Sequence, residues 1–336
     1  MGWFRRDGMI AAGLALFMGL PGAAAQEPLD GFVIARKACD ATPSIRNAAS
    51  EGGTQLTIDR AYRLIGENRR GGGHFQIEMP GAEPARRWIA KDCGLWVQPV
   101  DPADDGTAPA CPETADGTAH RDLLLAISWQ PGFCETRPGK RECRSQTEDR
   151  FDADHLTLHG LWPQPRGTDY CGVAAQDRRT DEAGRWSNLA PLSLTPDTRA
   201  ALDEAMPGTR SALDRHEWLR HGTCYRAGVE EYFADSLLVL AAINASPVRD
   251  LFAGSIGGEV TQAAVRGAFD TAFGEGAGDR VRIACANDDG RRIVTQLTIG
   301  LVGEIAPDAD IGALIRAAPP TDGGCPAGIV DAVGLQ

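Results

Sequence analysis

Apolar runs in the middle of the chain predict its main strands and helices. Residues 123–129 and 156–158 are typical of strands that are buried in a sheet. A helical period of apolar residues predicts three helices, over 213–220, 229–244 and 260–273, and Gly222 is expected to cap the first. Alternating segments on both sides of Asp288-Asp289-Gly290 predict a hairpin. Because strands and helices follow no strict alternation, the pattern favours an α+β fold.

The first part of the chain has a different pattern, in which short alternating stretches are separated by glycines. Stretches at 56–65, 74–78 and 87–90 predict strands, so residues 26–98 are expected to form a small β-rich module. This module has a faint resemblance to bacterial SH3-like barrels. The pairs Arg69-Arg70 and Arg86-Arg87 are candidates for contact with a polyanion, although such pairs are more often ordinary solvated charges.

Two further segments are predicted to lie outside the folded parts. Residues 99–119 are rich in proline, glycine and aspartate, which is typical of a linker before a larger domain at 120–336. Residues 1–25 have the pattern of a signal peptide, with Arg5 and Arg6, a short apolar run, and Ala23-Ala24-Ala25 as a cleavage site. Because that run is too short to span a bilayer, we expect export to the periplasm or the medium without a membrane anchor.

Composition agrees with an exported protein and limits the kinds of site. The 336 residues carry a formal net charge of -12, which argues against tight, processive binding of a polyanion. Nine cysteines in an exported chain favour disulfides, and the lack of a Cys-x-x-Cys pair argues against zinc or thiol redox sites. Cys39 and Cys93 bracket the module and are expected to pair, whereas Cys111 in the linker is either free or paired with an external thiol.

Candidate chemistry is concentrated in two segments about sixty residues apart. The first, 158–163, contains His159, and the second, 215–224, contains His216, Glu217, Arg220 and His221. Three of the six histidines of the chain lie in these segments. Imidazole both accepts and donates a proton near neutral pH, and a carboxylate and a guanidinium can orient it and hold a developing phosphorane. Together these groups can cleave a phosphodiester without a metal.

The two segments resemble the catalytic segments of the ribonuclease T2 family. His159-Gly-Leu-Trp-Pro is similar to the first, and His216-Glu-Trp followed by His221-Gly-Thr-Cys is similar to the second, in the same order. The likeness extends over residues 120–333. It implies a central antiparallel sheet flanked by helices, and an endoribonuclease that needs no metal or cofactor and cleaves single-stranded RNA with little base preference.

The resemblance also implies a role for each residue of the site. His221 would be the base for the ribose 2′-hydroxyl and His159 the acid for the leaving 5′-oxygen. His216 would bind the phosphate, while Glu217 and Arg220 stabilise the pentacovalent state. The product would be a 2′,3′-cyclic phosphate that is later hydrolysed to a 3′-phosphate. Position 220 departs from the family, which usually has lysine there, but arginine keeps the charge in a planar, forked group.

Base contacts and disulfides are implied in the same way. Trp162 and Tyr170 correspond to places of base stacking, and Gln164 stands where the family often has an acidic base contact. For Trp162 a packing role is as well supported as stacking. The implied disulfides are Cys134–Cys143, Cys171–Cys224 and Cys285–Cys325.

A zinc site and a purely binding function are the alternatives. His216 and His221 are five residues apart, whereas the helical zinc motif needs a spacing of four, so zinc is disfavoured. The sequence therefore predicts an exported, monomeric endoribonuclease whose partner is single-stranded RNA. The alternative is an inactive homologue that acts by binding cell wall or a partner through the N-terminal module. The complete set of site residues argues against that alternative.

Overall fold

The computed structural model describes residues 1, 26–45, 53–98 and 122–335. The predicted linker, Cys111 and all but the first residue of the predicted signal peptide lie outside the described residues. The described strands are β1 Glu27–Pro28, β2 Phe32–Ala35, β3 Asp40–Ala41, β4 Thr54–Gln55, β5 Ala61–Glu67, β6 His74–Glu78, β7 Arg86–Ala90, β8 Gly94–Val97, β9 Asp122–Trp129, β10 Leu156–Pro163, β11 Glu259–Thr261, β12 Val281–Asp288, β13 Arg291–Val302 and β14 Ala327–Ile329. The described helices are α1 Gln130–Thr136, α2 Arg141–Arg144, α3 Ala175–Glu182, α4 Pro196–Ala205, α5 Leu213–Arg220, α6 Val229–Asn244, α7 Pro247–Gly254, α8 Gln262–Phe273 and α9 Ile311–Ala317.

The larger sheet has the strand order β10-β9-β13-β14-β11, and β12 also pairs with β13. Its pairings are antiparallel except that of β13 with β14, which run parallel. Helices surround this sheet, and α6, which is buried along most of its length, packs against β10. The predicted α+β fold, with a central antiparallel sheet flanked by helices, is therefore confirmed.

The late hairpin has the turn that its sequence predicts. Asp289 and Gly290 connect β12 to β13 with φ values of 46° and 85°. A two-residue turn of this kind needs positive φ at both positions, which aspartate tolerates and glycine adopts freely. The hairpin matters for the site because β13 lies next to β9 and carries Gln296.

Two of the predicted helices have the expected bounds, and two details are corrected. Helix α8 begins at Gln262 because residues 259–261 pair with β14 as a short strand. Helix α5 ends at Arg220 with His221 in the cap position, so Gly222 is not the cap. Gly222 is needed for packing instead, since a Cβ there would lie 2.3 Å from Cε3 of Trp218.

The N-terminal module is a second antiparallel sheet with the order β7-β6-β5-β2-β8, and β1 pairs with β5. The predicted strand at 56–65 is divided, because Asp59 has a φ of 65° and turns the chain before β5 begins. Arg87 is only 2% exposed, and its Nη2 donates to the carbonyl of Glu83 at 2.8 Å. It is therefore a buried structural residue, and the suggestion that it contacts a polyanion is wrong.

Strand β2 joins the module to the larger part of the chain. Val33 and Ala35 belong to the module's own core, whereas Phe32 and Ile34 are buried in the core of the larger part. The alternation follows from the period of two in a strand, which sends successive side chains to opposite faces. Burial of a large apolar side chain stabilises a fold by about 1.5–3 kcal/mol, so this shared strand is a firm connection.

Polar contacts complete the same junction. Arg36 of the module forms ion pairs with Asp59 at 2.6 Å and with Glu204 of α4 at 2.8 Å. Asp59 in turn lies 2.8 Å from Nε2 of His155, which is next to β10. His155 is thus a structural bridge between the two parts rather than a member of the site.

Four disulfides are present in the described residues: Cys39–Cys93, Cys134–Cys143, Cys171–Cys224 and Cys285–Cys325. These are the four pairs that the sequence predicts. No single helix of the described ranges is long and apolar enough to cross a membrane, and the pair α6 and α7 meets the criteria only jointly, across a 65° bend.

Candidate active site

His159 lies at a β-bulge in β10. Leu158 pairs with Ile127 of β9, and Gly160 pairs with the very next residue, Ala126, so His159 is the extra residue between two pairs. The sequence suggests that the strand ends here, but β10 continues beyond the histidine. A bulge changes the direction of a side chain and often lies beside an active site. His159 therefore leaves the alternation of the sheet, and 31% of its side chain is exposed.

Glu217 is the buried carboxylate at which the two segments meet. Its side chain is 1% exposed, and Oε2 accepts a hydrogen bond from Nε1 of Trp162 at 2.8 Å. Oε1 lies 3.4 Å from Nε2 of His159 and 4.0 Å from Nε2 of His216. Gly160 makes room for this arrangement, because a Cβ at that position would lie 1.9 Å from Glu217 Oε2.

Two of the three histidines are anchored through Nδ1 by residues from other elements. Nδ1 of His159 is 2.8 Å from Oε1 of Gln296 on β13. Nδ1 of His216 is 2.8 Å from Oδ1 of Asp181 on α3, and Trp186 stacks on the same ring with centroids 4.4 Å apart. An acceptor at Nδ1 keeps the proton on that nitrogen and leaves Nε2 for chemistry. Both Nε2 atoms face Glu217.

Nδ1 of His221 also faces a carboxylate, but at a longer distance than in His216. Its Nδ1 lies 3.4 Å from Oδ1 of Asp169 and makes no hydrogen bond of good geometry within the described residues. Its ring packs against Trp162, with centroids 5.5 Å apart, and lies 6.5 Å from the ring of His216. The three imidazoles and Trp162 therefore form one cluster with Glu217.

The environments of His159 and His221 shift their pKa values in opposite directions. Burial lowers the pKa of His159, but the hydrogen bond and charge of Glu217 and the contact with Gln296 outweigh it, so the net pKa lies above 6.5. The pKa of His221 is lowered by burial, with Arg220 and His216 adding to the effect against Glu217 and Asp169. Of two neighbouring groups, the one with the raised pKa is suited to act as the acid and the one with the lowered pKa as the base.

Glu217 stays ionised despite its burial. Desolvation raises the pKa of its carboxyl, but the hydrogen bond to His159 and the positive charge of the three histidines lower it further than burial raises it. A buried anion of this kind stabilises protonated imidazole beside it. Glu217 is thus the group that couples the protonation of the two segments.

Arg220 lies at the rim of the cluster. Its side chain is 41% exposed, and Nη2 lies 3.3 Å from Oδ2 of Asp169, the same carboxylate that faces His221. The cysteine bridge between Cys171 and Cys224 and the hydrogen bond from the amide of Tyr170 to the carbonyl of Arg220, at 2.8 Å, fix this end of α5. A native disulfide stabilises by about 2–4 kcal/mol.

The three predicted base-contact residues differ in how they contact the histidine cluster. Trp162 lies within the cluster and donates to Glu217, as described above. The hydroxyl of Tyr170 donates to Asp181 at 2.7 Å, and guanidinium groups of Arg178 and Arg220 approach its ring at 4.8 and 5.7 Å. The side-chain amide of Gln164 donates to the backbone carbonyl of Trp162 at 3.2 Å. Tyr170 is thus linked to His216 through Asp181, whereas Gln164 contacts the backbone beside Trp162.

Sequence reasoning misses the four residues that position the histidines: Asp169, Asp181, Trp186 and Gln296. Gln296 is 137 residues away from His159 in the chain, and Asp181 is 35 residues away from His216. None of the four belongs to a motif with local spacing. Asp181 is 2% exposed in a helix that otherwise consists mostly of exposed polar residues, but this burial is visible only in the structure and the polar sequence of the helix gives no sign of it.

A pocket of 240 Å³ opens beside His159. Its lining includes the apolar and aromatic residues Phe133, Leu158, Leu213 and Trp186, the cations Arg137 and Lys140, and the carboxylate of Glu142. Apolar and cationic groups on one concave surface suit a nucleoside and its phosphate. No group of three or more His, Cys, Asp or Glu side chains that could hold a metal ion occurs among the described residues.

Comparisons with known proteins identify relatives of the larger part of the chain. A family model described as the Ribonuclease T2 family matches residues 121–308. The chain is similar to Ribonuclease I of Escherichia coli strain K12, with 30% identity over 197 residues, which is 52% of this chain and 74% of that protein. It is also similar to a Ribonuclease T2-like protein of Aspergillus fumigatus, with 34% identity over 117 residues, which is 32% of this chain and 27% of that protein.

Solved structures of ribonucleases match the same part. Human RNase T2 is 21% identical with a TM-score of 0.37, and the match covers 54% of this chain and 85% of that one. Ribonuclease MC1 from the seeds of bitter gourd is 18% identical with a TM-score of 0.34, and the match covers 62% of this chain and 99% of that one.

Proposed function

The chain belongs to the ribonuclease T2 family, and we propose that it is an endoribonuclease that cleaves single-stranded RNA by transphosphorylation. The observation that carries this proposal is the cluster of His159, His216 and His221 around the buried Glu217, with Nε2 of the first two directed at its carboxylate. Such a cluster provides an acid, a base and a charged cradle for one phosphodiester.

In the proposed first step, Nε2 of His221 accepts the proton of the ribose 2′-hydroxyl, and the 2′-oxygen attacks phosphorus. Nε2 of His159 donates its proton to the 5′-oxygen as the bond from phosphorus to that oxygen breaks. The opposite shifts of the two pKa values support this assignment, because at neutral pH they favour a neutral His221 and a protonated His159. The products are a 2′,3′-cyclic phosphate and a free 5′-hydroxyl.

In the second step, the same residues act in reversed roles on water. His159 accepts a proton from the water that attacks the cyclic phosphate, and His221 returns its proton to the 2′-oxygen, which leaves a 3′-phosphate. His216 holds a non-bridging phosphate oxygen through Nε2, since Asp181 occupies its Nδ1. Arg220 at the rim adds positive charge, and the proposed steps use no metal or cofactor.

Base recognition in the proposed complex is weak. The pocket beside His159 contains two aromatic residues, Phe133 and Trp186, and stacking on aromatic rings accepts any base. Trp162 is held by Glu217, and we propose that it supports the histidines in addition to any contact with a base. Gln164 is turned toward backbone carbonyls, so an acidic base contact of the usual kind is replaced by a neutral amide here.

We also propose that the enzyme works outside the cytoplasm, in the periplasm or the medium, as a monomer. Four disulfides in the described residues support this location, because such bonds persist in oxidising compartments. The sequence pattern of residues 1–25 supports it independently.

The proposed reaction is tested by product analysis. Purified, oxidised protein is incubated with homopolymer RNA in excess EDTA, and the ends are identified by mass spectrometry. We expect 2′,3′-cyclic phosphate ends that convert slowly to 3′-phosphates. Ends with a 5′-phosphate, or activity that EDTA abolishes, would refute the transphosphorylation mechanism. No cleavage at any pH from 4 to 8 would favour the binding alternative.

A second prediction concerns the pH dependence of kcat/KM. Activity should fall at low pH as His221 becomes protonated, through a pKa below 6.5, and fall at high pH as His159 loses its proton, through a pKa above 6.5. The maximum should therefore lie between these two pKa values. Since Asp169 raises the pKa of His221, Asp169→Asn should move only the acidic limb to lower pH. If only the alkaline limb moves, His221 is the acid and His159 is the base, contrary to the proposal.

A further inference from the structure

A cleft of 380 Å³ lies on the surface next to the candidate active site. We call it the cationic cleft and define it by the four cations that line it, Lys140, Arg141, Arg210 and Arg215, together with Trp186. Its walls come from the start of α2, the short turn at 186–188 and the turn before α5. The cleft contains no acidic lining residue.

The charge of the cleft is not compensated within the described part of the chain. Several arginines of the larger part form ion pairs there, for example Arg199 with Asp214 and Arg291 with Glu135. By contrast, none of the four cleft cations forms an ion pair with a carboxylate of the described residues. Arg215 donates only to backbone carbonyls. In a chain of net charge -12, a cleft of unpaired cations indicates an anionic ligand.

A buried carboxylate next to Arg141 in the chain has another partner. Glu142, which follows Arg141, is 3% exposed and accepts a hydrogen bond from the hydroxyl of Ser211. It lines the pocket beside His159 and not the cleft. Glu142 is therefore not among the residues that line the cleft.

The cleft is continuous with the site through Trp186. One ring contact joins Trp186 to His216, with an angle of 19° between the planes, and the ammonium group of Lys140 lies 5.0 Å from the centre of the same indole. Lys140 and Trp186 also line the pocket beside His159. A strand that leaves this pocket therefore enters the cleft directly.

The proposed reaction determines which end of the RNA strand lies in the cleft. His159, the proposed acid, protonates the 5′-oxygen of the leaving nucleotide, so the nucleotide on the 3′ side of the scissile phosphate lies beside His159. We propose that the cationic cleft binds the phosphates that follow this nucleotide, as a subsite for the 3′ part of single-stranded RNA. The inference rests on the proposed function for its direction, and the binding itself is testable without cleavage.

The test uses the double variant R141Q/R210Q, because both residues line the cleft and neither lines the pocket beside His159. The matched control is R282Q/R292Q, which removes the same charge from two exposed residues of β12 and β13 that line neither the cleft nor the pocket. Substrates carry a single cleavable uridine in a 2′-O-methyl strand. One set is extended on the 3′ side of the scissile bond and the other on the 5′ side, with a dinucleotide as reference.

We expect R141Q/R210Q to raise KM for the 3′-extended substrate roughly tenfold at low salt, with kcat and the dinucleotide reaction unchanged. The slope of log KM against log salt should fall by about 1.4, since each phosphate contact to a single strand contributes about 0.7. The control variant and the 5′-extended substrate should show neither effect. Unchanged KM for the 3′-extended substrate, or an equal effect in the control, would overturn the proposal.

Binding of an entirely 2′-O-methyl oligonucleotide, followed by fluorescence anisotropy, separates the two proposals. If wild-type protein cleaves nothing, the proposed function fails, while weaker binding by R141Q/R210Q alone would still support the cleft. If cleavage occurs but the variant binds like wild type, only the cleft fails. A larger effect on the 5′-extended substrate would refute the direction of the strand.

Discussion

Replacing His221 with alanine is expected to lower kcat/KM for single-stranded RNA by about 10²–10⁴-fold, because the 2′-hydroxyl then has no positioned base. His159→Ala should lower kcat/KM for RNA by the same order of magnitude, because the leaving 5′-oxygen then has no positioned acid. The two are distinguished with a uridine 3′-aryl phosphate, whose acidic phenol leaves without protonation. On that substrate His159→Ala should recover most of its activity, whereas His221→Ala should not.

The control for loss of an imidazole is His74→Ala in β6 of the module, which should keep the wild-type rate on both substrates. Thermal unfolding of the three variants shows whether a loss of rate reflects a loss of fold. Recovery by His221→Ala but not by His159→Ala on the aryl ester would mean that the roles of acid and base are exchanged. More than a tenth of the activity in either variant on RNA would contradict the mechanism.

The second large effect is expected from a single methyl group at Gly160. In Gly160→Ala the new Cβ would lie 1.9 Å from Oε2 of Glu217 and 2.9 Å from Nε1 of Trp162, so the carboxylate must move. Because Glu217 is buried and contacts His159, its displacement also misplaces the acid. A misplacement of about 1 Å can cost 10²-fold in rate, and overpacking costs about 1–3 kcal/mol in stability.

The measurement for Gly160→Ala is kcat at several pH values together with the free energy of unfolding. Displacement of Glu217 removes a contribution that raises the pKa of His159, so the alkaline limb should move to lower pH. Gly267→Ala in α8 is the matched control, since a Cβ there meets nothing within 4 Å. Wild-type kcat in Gly160→Ala would show that the position of Glu217 is unimportant for the reaction.

The members of the candidate site could be predicted because they are local in sequence. His216, Glu217 and His221 lie within six residues, and His159 belongs to a compact motif. The positioning groups were not predictable, since Gln296 reaches His159 only through the register of β13 on β9 and of β9 on β10. A register is set by whole strands and their turns, which no short spacing reveals.

The bulge at His159 and the position of β2 show the same limit for the fold. Glycine and proline after His159 favour a turn by their local preferences, yet pairing with β9 continues through Gly160 and ends only at Pro163. Strand β2 is not among the strands predicted above, although Phe32–Ala35 is a continuous apolar stretch, which is typical of a strand buried on both faces. The alternating stretches predicted the module, but they gave no sign of what covers the second face of β2.

That second face has a consequence for how the protein unfolds. Because Phe32 and Ile34 complete the core of the larger part while Val33 and Ala35 complete that of the module, neither part can lose its structure without exposing apolar surface of the other. The two parts are thus thermodynamically coupled, and heat should unfold them in one cooperative transition. A chain shortened to the catalytic part would need new polar residues on the uncovered surface before it could serve as a stable enzyme.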